Sequence, residues 1–161
     1  MTQLVFKRMV TCPFDIAERQ DTHFMFISAP LAIVPFLGAI RRILGTVETV
    51  KAVLKLASRK RKFYCTLESG RIIHYGWMSI SFCRYYRVEQ RDVVIGPIWT
   101  EERARSRGIG AYALQKAVNE MVKRGYRVFY IDTSEDNISC LKVIEKCGFG
   151  LSVFSFQNWQ S

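Results

Sequence analysis

The pattern of apolar and polar positions changes rhythm along this chain, and the changes outline its elements. Leu4–Met9 is a short, largely apolar run that reads as a first strand, closed by turn residues around Pro13. From Asp15 to Leu56 the spacing is helical in pieces. Interruptions at Pro30, Pro35, Gly38 and Gly45 predict two or three helices with a bent connection. Phe63–Glu68, the turn Ser69–Gly70 and Arg71–Phe82 read as a β-hairpin, because both arms are rich in β-branched and aromatic residues. Asp92–Thr100 is a further strand. Leu114, Ala117, Val118 and Met121 recur at helical spacing and predict a helix over Ala111–Lys123 that stops before Gly125. Arg127–Ile131 is then a strand, Ile138–Lys146 a helix ending at Gly148, and Phe149–Phe156 a last strand. The order predicts an α/β (α+β) fold: a mixed sheet with helices on both faces, in one domain over 1–161.

The run Arg105, Ser106, Arg107, Gly108, Ile109, Gly110 lies between the strand ending at Thr100 and the helix beginning at Ala111. A helix start leaves backbone N–H groups unpaired where the macrodipole favours negative charge. The two glycines let a phosphate approach, and the two arginines add charge. A tight basic turn is the plainer alternative for this segment alone. Downstream, Asn137–Phe149 fits the pattern NxxSxxxxEKxGF with Cys140 in place of the serine.

Together, in this order and at this spacing, the two segments resemble the GNAT superfamily of acyl-CoA-dependent N-acetyltransferases, well over Val93–Phe149 and loosely before it. The resemblance implies a sheet of six to seven strands. It splays between its fourth and fifth strands, here Asp92–Thr100 and Arg127–Ile131, to admit the arm of acetyl-CoA. It implies that amides of the loop from Arg105 to Gly110 hold the pyrophosphate. Backbone groups at Ile98 and Thr100 would pair with the pantetheine, and Asn137 would contact the cofactor arm. Asparagine is also a good helix N-cap, and both roles are compatible. Gly108 and Gly110 are both expected at the surface of the cradle. The same resemblance divides the domain into an acceptor-side strand and helices (1–62) and a hairpin with the acyl-CoA-binding core (63–161).

Many family members carry a tyrosine acid seven residues after the motif asparagine; here that position is Ile144, which cannot protonate a thiolate. Candidates for proton handling are therefore His74, Glu101 and Tyr130, with Glu102 and Ser139 nearby. Each has a plainer reading: a structural histidine, a solvated acidic pair, a packed strand tyrosine. Asp132 reads as a cap at the end of its strand.

Composition adds charge. The chain has 161 residues with a formal net charge of +10, more than a CoA site needs. Arg41–Lys62 alone carries eight basic residues and one acid, Glu48, after the nearly uniform apolar run Phe24–Ile40. Core helices are the plain reading of 24–62. A surface resting on an anionic membrane is the functional one, and it would suit a lipid-linked amine acceptor. Nucleic acid is the rival partner, through Arg59–Lys62 with Phe63, Tyr64, Tyr85 and Tyr86. Five widely spaced cysteines without a CxxC pair or a histidine cluster indicate neither a disulfide framework nor a metal site. With no evident signal peptide, the expected location is cytoplasmic, or peripheral at the inner face of the membrane. The oligomeric state is open, a dimer included. The sequence thus points to acetyl transfer onto a small-molecule or lipid-linked amine, most simply an amino sugar or envelope precursor. A protein N-terminus, an RNA-linked amine and a catalytically silent acyl-CoA-binding module are the alternatives.

Overall fold

The computed structural model describes residues 1–157; the last four residues of the domain expected over 1–161 lie outside them. Seven strands form one mixed sheet: β1 (Thr2–Met9), β2 (His23–Ile27), β3 (Arg61–Glu68), β4 (Arg71–Ile80), β5 (Val93–Thr100), β6 (Val128–Ser134) and β7 (Ser152–Gln157). Their spatial order is β2-β3-β4-β5-β6-β1-β7. Every pairing is antiparallel except β5 with β6. Three helices complete the fold: α1 (Leu37–Ala57), α2 (Ile109–Lys123) and α3 (Ile138–Lys146).

The predicted hairpin, α2 and α3 are present within a residue or two of their expected bounds. The segment 15–56 differs. His23–Ile27 forms an edge strand on β3 instead of a helix, followed by a 3-10 turn at Pro30–Phe36 and then α1. The bend expected in this region sits inside α1, where Gly45 takes a left-handed conformation (φ 79) that interrupts the helical path. The N-terminal strand also lies apart from the residues that follow it. β1 is laid between β6 and β7, so residues 1–9 belong to the same end of the sheet as the C-terminal strands. As an interior strand it buries alternate residues on opposite faces: Phe6 against the α2 side, Val5 against the other.

α2 packs on the first face. Leu114, Ala117, Val118 and Met121 are buried against Met78, Val93, Ile95, Phe129 and Ile131, and α3 adds Ile144. Each fully buried large aliphatic side chain here stabilises the fold by roughly 2 kcal/mol. α1 packs on the second face through Ile40, Ala52 and Leu56, against Phe63, Cys65 and Trp77. Beside it, the loop 81–92 covers Val94, Tyr130 and Val5 with Cys83, Tyr86 and Val88. α1 and this loop therefore lie side by side on one face.

The sheet opens where β5 and β6 diverge. These strands pair only from Val93↔Phe129 to Ile95↔Ile131, and beyond that point they part. Gly96 and Pro97 together oppose Trp77, a bulge that turns β5 away while Ile98 and Thr100 resume pairing with β4. Pro97 has no N–H to offer a neighbouring strand. The expected splay is thus observed, between β5 and β6 in this numbering.

Candidate functional site: the cleft between β5 and β6

The opening leads into a cleft of about 940 Å³. One wall is β5 from Val94 to Thr100, a second is the loop that enters α2, a third is the start of α3, and loop 81–92 forms the lip on the far face.

At the bottom of the cleft, Ser106 (φ 61) and Gly108 (φ 77) both adopt left-handed conformations. Such a turn gathers backbone amides toward one side, where they meet the unpaired N–H groups of the first turn of α2. Gly108 is the N-cap of α2, and no side chain caps the helix. The side chain of Ile109 turns inward against Ile73 and Ala104, so this residue presents only its backbone. The arrangement can bind an anion.

The two arginines of the loop part company. Arg105 lines the cleft, its Nε 3.4 Å from the carbonyl of Thr100. Arg107 faces outward into an ion cluster, donating to Glu68 and to Asp21 (3.2 Å), and it does not line the cleft. Its guanidinium therefore adds no charge inside the cleft, while its backbone amide remains part of the loop. Gly110 also departs from expectation. A side chain there would meet Val143 at 3.2 Å and His74 at 3.7 Å, whereas one at Gly108 would meet nothing within 4 Å. Gly108 alone is open.

Ile98 and Thr100 line the cleft on the strand edge that β6 has left. Asn137 caps α3 by accepting from the Cys140 amide at 3.1 Å, and it also reaches the cleft. Its amide group therefore has a donor to offer there. Ser139 and Cys140 line the same wall.

The three proton-handling candidates are not brought together. His74 is fully buried and its Nδ1 lies 2.8 Å from Thr100 Oγ1, while its Nε2, Tyr64 Oη and Thr66 Oγ1 are buried without a partner. Burial pushes the imidazole down to about 4, so it is neutral near pH 7. It supports Thr100 from beneath the cleft. Glu101 accepts from Arg71 at 3.1 Å in a separate recess of about 400 Å³ beside α1. Tyr130 packs beneath loop 81–92 against Tyr86, on the covered side of β6, and does not line the cleft. Neither side chain lines the split. Ile144 is buried in the core, so no acid stands at the position where many family members place tyrosine.

The site contains an acid that the sequence reading passed over. Asp132 is the residue after Ile131, the last of β6 to pair with β5, and it stands where the strands part. Tyr86 donates to Asp132 Oδ1 at 3.0 Å. Burial raises the carboxyl above its ordinary value, opposed by the Tyr86 bond. Asp132 is the single acid along the cleft among the described residues, whose walls also carry Arg61, Arg84, Arg105, Lys142 and Lys146. The cations suit the phosphates of a donor, and the acid suits an amine.

Comparisons with known proteins agree with this geometry. The model of the acetyltransferase (GNAT) family matches residues 42–149. No curated protein matches the sequence. Among solved structures the chain resembles an aminoglycoside acetyltransferase from an uncultured soil metagenomic sample in complex with sisomicin. The TM-score is 0.67 at 10% identity, over 88% of this chain and 96% of that one. It also resembles AAC(6')-Iy bound to a bisubstrate analogue, CoA-S-monomethyl-acetylneamine, with TM-score 0.66 and 14% identity over 87% and 98% of the two chains. An aminoglycoside 6'-N-acetyltransferase from Acinetobacter baumannii gives TM-score 0.61 and 13% identity over 87% and 98%. At these identities the likeness is one of fold.

Proposed function

The chain belongs to the acetyltransferase (GNAT) family, with acetyl-CoA as its acyl donor, and we propose that it acetylates a primary amine of a small amino sugar or envelope precursor. Asp132 carries the acceptor half of this reading. A half-buried carboxylate that accepts only from the Tyr86 hydroxyl and has no cation partner among the described residues, standing where the strands part, is a place for a substrate ammonium. The fold likeness to aminoglycoside acetyltransferases supports an amino sugar.

The remaining roles follow from the walls of the cleft. The amides of the loop from Ser106 to Gly110, with Arg105, hold the donor's phosphates. The freed edge of β5 at Ile98 and Thr100 pairs with the pantetheine amides, and Asn137 offers its side-chain amide from the opposite wall. Asp132 takes the proton that the ammonium must lose before its nitrogen can attack the thioester carbon. The carbon–sulfur bond then breaks. The second proton of the nitrogen passes to the departing sulfur directly or through water, since no side-chain acid stands at position 144 and a thiol with an ordinary value near 8.5 holds a proton in neutral water.

The test is release of free CoA from acetyl-CoA in the presence of amino sugars, polyamines and peptide N-termini. Turnover on amino sugars that is lost in Asp132→Asn is the expected result. Binding of acetyl-CoA with no turnover on any amine would instead favour the silent module.

A further inference from the structure

The outer surface of the face that carries α1 is apolar and cationic at once, and we propose that it docks on an anionic lipid bilayer. An 18-residue window within Pro30–Ala57 has a mean hydropathy of 1.4, yet only 11% of it is buried. A helix this apolar in a protein core would be mostly covered. Here Ile40, Ala52 and Leu56 hold α1 to the sheet, while Val47, Val50 and Leu54, spaced three and four apart, face outward. They are 67%, 56% and 66% exposed. Leu31 and Val34 of the preceding turn extend the stripe, at 82% and 55% exposed.

Positive charge flanks it. Arg41, Arg42, Lys51 and Lys55 are exposed on α1, and the one acid of the helix, Glu48, is already paired with Lys51 at 2.6 Å. On the same side of the sheet, the lip of the cleft carries Phe82 and Tyr85, half exposed beside Arg84. Apolar side chains that can enter the acyl boundary, rimmed by cations that meet phosphate headgroups, are complementary to an anionic bilayer.

Other occupants fit less well. A second copy of the chain would set like charges against each other. A membrane-spanning role needs about 20 continuous helical residues, and Gly45 divides α1 while its inner side stays packed on β3 and β4. Single-stranded RNA would call on the aromatics after the basic run, but Phe63 and Tyr64 are buried. Lys62 donates its Nζ to the carbonyls of Ser28 and Arg59, and Arg61 is held by Ser79. The outer side of α1 offers aliphatic side chains, and the exposed aromatics Phe82 and Tyr85 are confined to the lip of the cleft. Because the lip of the cleft lies on this face, a docked enzyme would meet acceptors at the bilayer surface.

Co-sedimentation of the full chain with vesicles of phosphatidylglycerol and phosphatidylcholine in equal parts, against phosphatidylcholine alone, tests this and is independent of turnover. Partition onto the anionic vesicles, weakening as salt is added, is expected. The pair Val50→Glu with Leu54→Glu should lower it at least about tenfold, and Lys51→Gln with Lys55→Gln by a comparable factor, with acetyl-CoA affinity unchanged. The proposal is overturned by absence of partition at low salt, including where RNA is bound instead. It is equally overturned by unchanged partition in both variant pairs, or by a dimer in sedimentation velocity that these substitutions dissociate.

Discussion

The hydroxyl of Tyr86 donates a 3.0 Å hydrogen bond to Asp132, tying loop 81–92 to the acid where β5 and β6 part. This bond opposes the effect of burial, which raises the Asp132 carboxyl. Removing it in Tyr86→Phe should raise the carboxyl further. The base form is then present only above a higher pH, and the acidic limb of the kcat/KM profile should move to higher pH. Asp132→Asn should lower kcat/KM for the amine by about 10²-fold or more while leaving acetyl-CoA affinity intact. A Tyr86→Phe profile superimposable on the wild type would separate the loop from the chemistry.

Gly108 and Gly110 should respond differently to the same change. At Gly108 an added side chain enters open space but must hold a φ of 77, a conformation that costs an L-residue about 1–2 kcal/mol. Gly108→Val should weaken CoA binding through the altered loop while the protein still folds cooperatively. Gly110→Val drives a branched side chain into Val143 and His74 and should lower the melting temperature by several degrees. Calorimetric CoA titration beside thermal melts of both variants separates the two.

A parallel contrast holds for the loop arginines. Arg105 lines the cleft, so Arg105→Ala should reduce CoA affinity about tenfold, with the loss fading at high salt. Arg107 is engaged by Glu68 and Asp21 on the outside, and Arg107→Ala should change CoA affinity by less than about threefold. An affinity loss confined to Arg107→Ala would reverse the assignment of the two guanidiniums.

These contrasts show where sequence reading stops. The hairpin, α2 and α3 were legible because each carries its own periodicity or turn, Leu114 to Met121 at helical spacing and Ser69–Gly70 between two β-rich arms; the split was implied by the family resemblance. β2 was not, since His23–Ile27 runs straight into the apolar stretch of α1, and its strand character comes from pairing with β3. Within the site, the loop glycines and Asn137 announced themselves by spacing. Which arginine turns inward depends on a loop path set by Ser106 and Gly108 together. Tyr130 and Asp132 share the face of β6 that loop 81–92 covers, yet only Asp132 lies beyond the last residue paired to β5. That position depends on a strand register no local pattern encodes.

His74 provides a prediction that needs no substrate. Burial lowers its imidazole from an ordinary 6.5 to about 4, so the folded protein keeps it neutral while the unfolded chain takes up a proton below 6.5. Between these two values the unfolded state binds more protons, and stability falls as pH falls. The full loss would approach about 3 kcal/mol by pH 4. Urea unfolding at pH 7 and pH 4.5 should show this decline in the wild type, and His74→Leu should flatten it. That variant gives up the bond to Thr100 Oγ1, so it should also be less stable than wild type at pH 7, by about 1 kcal/mol. A pH dependence identical in the two proteins would mean that His74 is protonated inside the fold, with its Nε2 partnered after all.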